Sequence, residues 1–303
     1  MAEQKNIRRS LLLRTRLAQL FKKRAVWSSQ LVQSLNLFRQ AARERRWEAF
    51  LFGGVPRGLW VHGTGGSVRD FDIVVADDVF GDVLAAFAQN VVRRNRFGGA
   101  KLLIQENEFD VWPLSQTWAF AEGLFEAATF EVLPRTTFLT IDSIVIELAP
   151  RSGTRRRVFE AGFFRSMRER CLDICLEQNP YPELCAIRSL RIAYVFGLAL
   201  SPRLATYIHG VIRHSSSELL RKAQLQHYGR LFFDHSELQD IADRIEVQLS
   251  DVVENDVRIF PVYATQTFLW NDWTIANGRP TRLQVSESVQ NLTEAQPPKP
   301  LNQ

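Results

Sequence analysis

The spacing of apolar residues divides the chain into a part that mixes strands with helices and a part that is helical. Residues 10–50 carry apolar side chains near a 3.6-residue period, which predicts helix. Short apolar or alternating runs then predict strands over residues 49–52, 70–75, 100–105, 108–112 and 138–148. An amphipathic helix is expected over residues 79–92, and Glu106-Asn107 is the predicted turn between the third and fourth strands.

Helical spacing dominates after the basic segment 151–157. Helices are predicted over residues 158–176, 183–198, 203–214, 216–226 and 236–253, with Pro-containing loop signals between them. The expected fold class is therefore α+β, with a domain built on one mixed sheet followed by an all-helical domain. The expected boundaries are a basic helical arm over residues 1–46, the sheet domain over 47–155, the helical domain over 156–277 and a disordered tail over 278–303.

Composition changes this picture mainly through the distribution of charge. The net charge of the 303 residues is +5, but residues 1–24 hold eight basic groups and one acid, which leaves −2 for the rest of the chain. This arm either binds nucleic-acid phosphates or forms a solvated helix face. The longest apolar run, Ile192 to Leu200, is far shorter than the ~20 residues of a spanning helix, so no membrane insertion is expected. An odd number of cysteines, three, favours a reducing cytoplasm.

Two acidic residues stand two positions apart on a predicted strand. Because side chains alternate along a strand, Asp70 and Asp72 project from one face while Phe71 and Ile73 enter the core. Two adjacent carboxylates repel each other, and Mg²⁺ is a hard cation that binds carboxylate and phosphate oxygens. The pair is therefore either a Mg²⁺ site or a solvated strand end. Asp110, on a later strand, either supplies a third carboxylate or caps a neighbouring loop.

Two glycines follow the first predicted strand. Gly53 and Gly54 either let the backbone approach a triphosphate closely or form a simple tight turn. No Gly-Lys-Ser/Thr follows them, which excludes a Walker P-loop.

Five ordered segments carry a more specific pattern. The first two are residues 51–57 (Leu-Phe-Gly-Gly-Val-Pro-Arg) and residues 70–75 (Asp-Phe-Asp-Ile-Val-Val). The third runs from residues 96–101 (Arg-Phe-Gly-Gly-Ala-Lys) to residues 109–114 (Phe-Asp-Val-Trp-Pro-Leu), and the last two are residues 140–144 and 188–192. Together they resemble the head domain of bacterial poly(A) polymerases and tRNA CCA-adding enzymes, which are polymerase-β-like nucleotidyltransferases.

The resemblance implies a nucleotidyltransferase head domain that performs two-metal phosphoryl transfer. Asp70 and Asp72 would hold Mg²⁺, with Asp110 completing the site of a second ion. The glycines and Arg57 would hold the β- and γ-phosphates of a nucleoside triphosphate, and two arginines of a later helix would serve base selection. The nucleotide-binding residues implied are Gly53, Gly54, Arg57, Arg188 and Arg191.

Two departures from the family pattern bear on the substrate. Arg135-Thr136-Thr137 stands where the family has an Arg-Arg-Asp stretch that helps to recognise the ribose, so transfer of NMP or dNMP is expected. Leu184 and Cys185 stand where the family has acidic residues that select the base, which points away from CTP-then-ATP addition in tRNA repair.

The expected activity is Mg²⁺-dependent, template-independent transfer of a nucleotide to a hydroxyl acceptor, either a nucleic-acid 3′ end or an oligonucleotide. The expected setting is bacterial defence or a toxin–antitoxin system, where a protein partner is also expected. Two alternatives stay open: a toxin that transfers NMP to tRNA or protein, and a catalytically silent module that binds RNA or a partner. Retention of Asp70, Asp72 and Asp110 favours the enzyme, because clustered carboxylates are costly without a cation.

Overall fold

The structure is a computed structural model, and it describes residues 11–16, 18–19, 29–62, 70–95, 98–250 and 256–260. Residues 1–10, 17 and 20–28 of the predicted basic arm and all of the predicted tail over 278–303 lie outside these residues. The chain divides into two compact units, residues 1–178 and residues 179–303. In the part of the chain that the structure describes, none of the helices has the length and apolar character needed to cross a bilayer.

The first unit is built on a seven-stranded mixed sheet. Its strands are β1 (Ala49–Phe52), β2 (Asp70–Val75), β3 (Val91–Arg94), β4 (Ala100–Ile104), β5 (Asn107–Pro113), β6 (Ile144–Glu147) and β7 (Val158–Glu160), in the order β3-β4-β5-β2-β1-β6-β7. β2 and β5 run parallel, and the other neighbouring pairs run antiparallel. The α+β class and the mixed sheet expected from the sequence are confirmed.

The helices of this unit are short apart from the first. They are α1 (Ser29–Glu44), α2 (Gly54–His62), α3 (Phe80–Ala86), α4 (Trp118–Ala121) and α5 (Phe163–Glu169), and a two-residue strand, β8 (Cys171–Leu172), follows α5.

The two faces of the sheet are covered by different groups. On one face, Phe71 and Phe109 of the paired strands β2 and β5 are fully buried, and Phe38 of α1 stacks on Phe109 with ring centroids 5.7 Å apart. On the other face, Phe50 and Val74 belong to an apolar cluster with Leu114, Phe120, Phe130, Leu133 and Val145. Asp70 and Asp72 share this second face, because they alternate with Phe71 and Ile73. The expected alternation of β2 is therefore observed.

The predicted turn between the third and fourth strands is wrong by one residue. Gln105 and Glu106 form the turn, with φ of 48° and 66°, and Ile104 pairs with Asn107. Two consecutive residues with positive φ are typical of the type I′ turn, whose twist matches that of a hairpin.

Three predicted elements differ from the structure because other elements interrupt them. The helix predicted over residues 79–92 ends at Ala86, and β3 begins at Val91. The strand predicted over residues 138–148 is reduced to β6 by a helical turn over Thr140–Asp142. The helix predicted over residues 158–176 is instead β7, α5 and β8.

Two left-handed residues account for that last difference. Gly162, with φ of 91°, and Arg170, with φ of 55°, bound α5, and β7 pairs with β6. The sheet thus continues beyond the boundary expected near residue 155, and the first compact unit extends to residue 178.

A described part of the basic arm packs on the first unit. Leu13 is fully buried, and Arg16 Nη1 donates to the carbonyl oxygens of Leu59, at 2.9 Å, and Trp60. Both carbonyls belong to the last turn of α2, where an arginine satisfies groups that lack helical partners. Burial lowers the pKa of Arg16 to about 10. At this position the arm is part of the fold and not a solvated helix face.

The second unit is helical, close to the prediction. It contains α6 (Pro182–Phe196), α7 (Pro202–His214), α8 (Ser217–Tyr228) and α9 (His235–Ser250), together with the two-residue strand β9 (Ala199–Leu200). Serine hydroxyls begin two of these helices: Ser201 Oγ accepts from the Leu204 N–H, and Ser216 Oγ accepts from the Leu219 N–H. Glycines in the left-handed region, Gly197 and Gly229, end α6 and α8.

Removal of a cap tests this account of the helical unit. Ser216→Ala should lower the free energy of unfolding by about 1 kcal/mol, because the Leu219 N–H loses its acceptor. Denaturant unfolding followed by circular dichroism measures the change. The matched control is Ser217→Ala, one position inside the helix, which should cause no loss; an equal loss in both variants would contradict the assigned cap.

Candidate active site

The pairing of β2 with β5 brings acidic side chains together on one face of the sheet. Asp70 pairs with Glu108, and Asp72 pairs with Asp110. In a parallel pair, residues in register project from the same face, so the acids of β2 lie beside those of β5. The sequence-predicted residues Asp70, Asp72 and Asp110 are thus neighbours on adjacent strands, and all three are partly buried.

The acids remain accessible because the apolar cluster on their face ends before reaching them. Val74, two residues after Asp72, belongs to the cluster, and Trp112 packs against it from β5. The first residues of β2 and the paired residues of β5 lie beyond this cluster. The same face therefore presents an apolar surface at one end of the strands and an acidic surface at the other.

Lys101 is the cation of this acidic surface. It pairs with Asp110 across the β4–β5 hairpin, and its Nζ lies 2.5 Å from Glu108 Oε2 and 3.4 Å from Asp110 Oδ2. Burial disfavours the charged lysine, but the ion pairs with Glu108 and Asp110 outweigh burial and raise the pKa of Lys101. The sequence pattern alone gives Lys101 no role; the observed hairpin register, which pairs it with Asp110, is the signal that identifies it.

The carboxylates influence one another electrostatically. Burial is the largest cause of a raised pKa of Asp110; Lys101 opposes this shift, and the negative charges of Asp70 and Glu108 add to it. The contributions of Asp70 and Glu108 identify a site where neighbouring carboxylates repel one another. Such a site favours the binding of a further cation.

The donor chemistry of this face fits Mg²⁺, because carboxylate oxygens are the ligands that this ion takes in proteins. Asp70, Asp72 and Asp110 are the residues that would hold it. Among the described residues, however, no group of three or more His, Cys, Asp or Glu side chains is gathered so that it could hold a metal ion. In this structure Asp110 is instead paired with Lys101.

Gly53 approaches this face from the end of β1. Its φ is 64°, and a Cβ at this position would lie 2.8 Å from Asp72 Oδ2. Both observations require glycine, because a side chain would be strained in the left-handed region and would clash with the carboxylate. The close approach observed here is to Asp72; the approach to a triphosphate that the sequence suggests for this glycine stays a prediction. Gly54 is the first residue of α2, and a Cβ there would meet its nearest atom, Arg57 Nη2, at 3.6 Å.

Arg57 is held by a buried acid that sequence analysis did not assign. Arg57 Nη1 forms an ion pair with Asp142 Oδ1, and the two side chains are only 19% and 9% exposed. Asp142 ends the helical turn before β6 and is the first of two acids in the largely apolar segment 138–148. A carboxylate within such a segment was the signal for this pair, because a buried acid requires a cationic partner.

The two other predicted nucleotide ligands belong to the second unit. Arg188 and Arg191 lie one helical turn apart on α6. The Arg191 guanidinium lies 5.0 Å from the ring centroid of Tyr228 and 4.8 Å from that of Phe232. These are cation–π distances, and burial lowers the pKa of Arg191. Arg191 is thus fixed between two rings of its own unit.

Substitution of the two glycines separates their structural requirements. Gly53→Ala should lower the free energy of unfolding by about 1–2 kcal/mol or more, because of its left-handed backbone and the contact with Asp72. Gly54→Ala is the matched control, and it should be neutral or stabilising by ~0.4–1 kcal/mol. Thermal and denaturant unfolding measure both. The account is wrong if Gly53→Ala is as stable as Gly54→Ala.

The raised pKa of Asp110 predicts how pH affects the stability of the protein without divalent cations. The folded protein binds a proton at Asp110 more readily than the unfolded chain does, so this group's contribution to stability falls as pH rises from about its ordinary pKa of 3.8 through the raised value. Asp110→Asn removes this pH-dependent loss of stability, and Lys101 still pairs with Glu108 in the variant. The variant should gain stability relative to wild type between pH 4 and pH 7 in EDTA, and a difference independent of pH would contradict this expectation.

Comparisons with known proteins agree with this fold. No family model matches the chain, and no curated protein sequence matches it. The chain is similar to the solved structure of the Thermotoga maritima CCA-adding enzyme complexed with tRNA, with a TM-score of 0.55 and 16% identity over 76% of this chain and 54% of that enzyme. It is also similar to a CCA-adding enzyme in complex with CTP, with a TM-score of 0.55 and 16% identity over 76% of this chain and 55% of that one.

A third similar structure is a tRNA nucleotidyltransferase complexed with a primer tRNA and an incoming ATP analogue. Its TM-score is 0.51, with 18% identity over 69% of this chain and 60% of that enzyme. The chain spans between a half and two thirds of each of these three enzymes. The resemblance found in the sequence is confirmed at the level of the fold: the chain has the α+β architecture of the CCA-adding enzymes and tRNA nucleotidyltransferases.

Proposed function

We propose that the protein is a Mg²⁺-dependent nucleotidyltransferase that transfers a nucleoside monophosphate from a nucleoside triphosphate to a hydroxyl group without a template. The observation that carries the proposal is the shared face of Asp70, Asp72 and Asp110, with the Gly53 backbone beside Asp72. The similar structures support it, since they are complexes with tRNA, with CTP, and with a primer tRNA and an ATP analogue.

The carboxylates supply the chemical centre in this proposal. Asp70 and Asp72 would hold Mg²⁺, and Asp110 would complete the site of a second ion on exchanging Lys101 for the metal. A bound Mg²⁺ neutralises charge on the phosphates and the leaving pyrophosphate, and it lowers the pKa of the attacking hydroxyl. The acceptor oxygen forms its bond to the α-phosphorus as the bond to pyrophosphate breaks.

Other residues would bind and orient the nucleotide. Gly53 and Gly54 lie where β1 meets α2, and the first N–H groups of a helix are free to bind phosphate oxygens. Arg57, oriented by Asp142, would pair with the β- and γ-phosphates. The role of Arg188 and Arg191 in base selection, which the resemblance implies, stays a prediction. A nucleic-acid 3′ end or an oligonucleotide is the proposed acceptor, and a cytoplasmic role in bacterial defence or in a toxin–antitoxin system is the proposed setting.

A silent nucleic-acid-binding module is the second candidate, and one specific observation favours it. Lys101 Nζ already provides a cation to Asp110 and Glu108. A lysine that permanently neutralised this face would leave a structural ion pair in place of a metal site. Dependence of stability and turnover on Mg²⁺ distinguishes the two candidates.

Substitution of Asp72 tests the proposed activity. The purified protein is incubated with Mg²⁺ and each labelled NTP or dNTP, with and without tRNA. The products are then separated by size, so that successive nucleotide additions are seen as a ladder. Asp72→Asn should lower incorporation on the order of 10²–10³-fold, the range found when one preorganised charge-stabilising group is removed. Addition of Mg²⁺ should raise the melting temperature of wild type and not that of Asp72→Asn, because only a protein that binds the ion is stabilised by it.

The matched control is Asp78→Asn, which removes an exposed carboxylate of the same unit. It should retain both incorporation and the Mg²⁺-dependent rise in melting temperature. Full incorporation by Asp72→Asn would remove Asp72 from the site. No incorporation and no effect of Mg²⁺ in wild type would favour the silent module.

A further inference from the structure

A second site lies at the opposite end of the sheet from the acidic face. A cavity of about 730 Å³ is lined by the end of α1, by Glu48 just before β1, and by the segment from Glu147 to Arg157. Gly53 and Asp72 lie at the other end of β1, because Phe52 pairs with Asp72 whereas Ala49 pairs with Val75. Four residues of strand separate the two ends, roughly 13 Å at ~3.3 Å per residue.

Positive charge dominates this cavity. Five arginines line it against two acids, Glu48 and Glu147; the arginines are Arg43, Arg46, Arg151, Arg155 and Arg157. A single residue, Arg157, pairs with both acids, at 2.6 Å from Glu48 Oε1 and 2.7 Å from Glu147 Oε1.

The other four arginines differ from Arg157 in their surroundings. Arg43, Arg46, Arg151 and Arg155 are exposed, and none of them forms an ion pair with an acid that the structure describes. An excess of unneutralised guanidinium groups around a cavity of this size favours an anionic ligand.

The positive charge also extends beyond the cavity. Arg39 and Arg43 stand one turn apart on α1, where like charges repel; burial and then the charge of Arg43 lower the pKa of Arg39. Burial and then the charge of Arg155 lower the pKa of Arg14 in the same way. Arg46, one of the arginines that line the cavity, has a left-handed backbone with φ of 61°. Non-glycine residues adopt this conformation only at a cost in free energy.

The arrangement selects the chemistry of the ligand. The planar guanidinium fork matches phosphate oxygens in pairs, so arginines are well suited to bind phosphates. A compact anion would occupy only the cavity, whereas the positive charge continues beyond it, to Arg39 near Arg43 and to Arg14 near Arg155. An extended polyanion with regularly spaced phosphates fits this distribution better.

We propose that this arginine-lined cavity is a nucleic-acid anchoring site, which binds the backbone phosphates of a strand at the end of the sheet remote from the acidic face. The cavity residues and the carboxylates stand at opposite ends of β1, so anchoring and chemistry use separate surfaces of the first unit. The proposal does not depend on catalysis, since it concerns binding without nucleotide or metal.

The test is the binding of a fluorescein-labelled 20-nucleotide single-stranded RNA to the full chain in EDTA, followed by anisotropy over a series of salt concentrations. The double variant Arg151→Glu/Arg155→Glu should bind at least tenfold more weakly than wild type in 50 mM salt. Loss of two phosphate contacts should also reduce the slope of log affinity against log salt by roughly 1.4, at ~0.7 per contact on a single strand.

The matched control is Arg221→Glu/Lys222→Glu on α8, which makes the same change in charge at two exposed positions. It should bind RNA within about twofold of wild type, since phosphate contacts and not net charge alone determine the affinity. Circular dichroism and the melting temperature verify folding, and Arg151→Gln/Arg155→Gln provides a milder variant that should fall between wild type and the double reversal.

Three results would overturn the proposal. The first is equal affinity and equal salt slope for the cavity variant and wild type. The second is equal weakening by the control variant, which would mean that net charge explains the binding. The third is competition by inorganic triphosphate or poly-glutamate as effective as that of unlabelled RNA per charge, which would assign the cavity to a small phosphate or to an acidic protein.

Discussion

The parallel pairing of β2 with β5 is the constraint on which the rest of the candidate active site depends. In this register Asp72 lies beside Asp110, and the alternating apolar residues close the opposite face with Phe38. A shift by one residue would turn every side chain of β2 to the other face. The acids would then enter the core, and the aromatic residues would be exposed. Burial of Phe71 and Phe109 therefore determines where the carboxylates lie.

The two proposed functional surfaces of the first unit each combine charged groups that neutralise one another with charged groups that do not. On the acidic face, Lys101 neutralises part of an excess of carboxylates, and Arg57 is matched to buried Asp142. At the basic cavity, Arg157 bridges Glu48 and Glu147, and the remaining arginines are in excess. The neutralised pairs stabilise the fold, whereas the excess charge at each end of β1 is available for a ligand of opposite sign. Opposite ends of one strand thus favour a cation and a polyanion.

The sequence predicts the elements that a repeating apolar pattern defines. It fails where a single residue determines the position of a turn or the end of an element. β1, β2 and the four described helices of the second unit follow from their apolar spacing. The β4–β5 hairpin is different, because a turn at Gln105-Glu106 and a turn at Glu106-Asn107 bury the same side chains. The apolar pattern therefore cannot distinguish the two registers, and only the actual turn pairs Lys101 with Asp110. Likewise, Gly162 and Arg170 break a predicted helix, and the pairing of Arg57 with Asp142 joins residues 85 positions apart.

The ion pairs of Lys101 bear on how the protein folds before any metal ion binds. Structural zinc domains depend on metal for folding, since ligation provides much of their folding energy. In this protein the ammonium group of Lys101 supplies the counter-charge to Asp110 and Glu108, so the sheet can fold in the absence of a metal ion. A dissolved cation would then compete with the tethered amine of Lys101 for the Asp110 carboxylate, and the concentration of that cation in the cell would decide which of the two binds it.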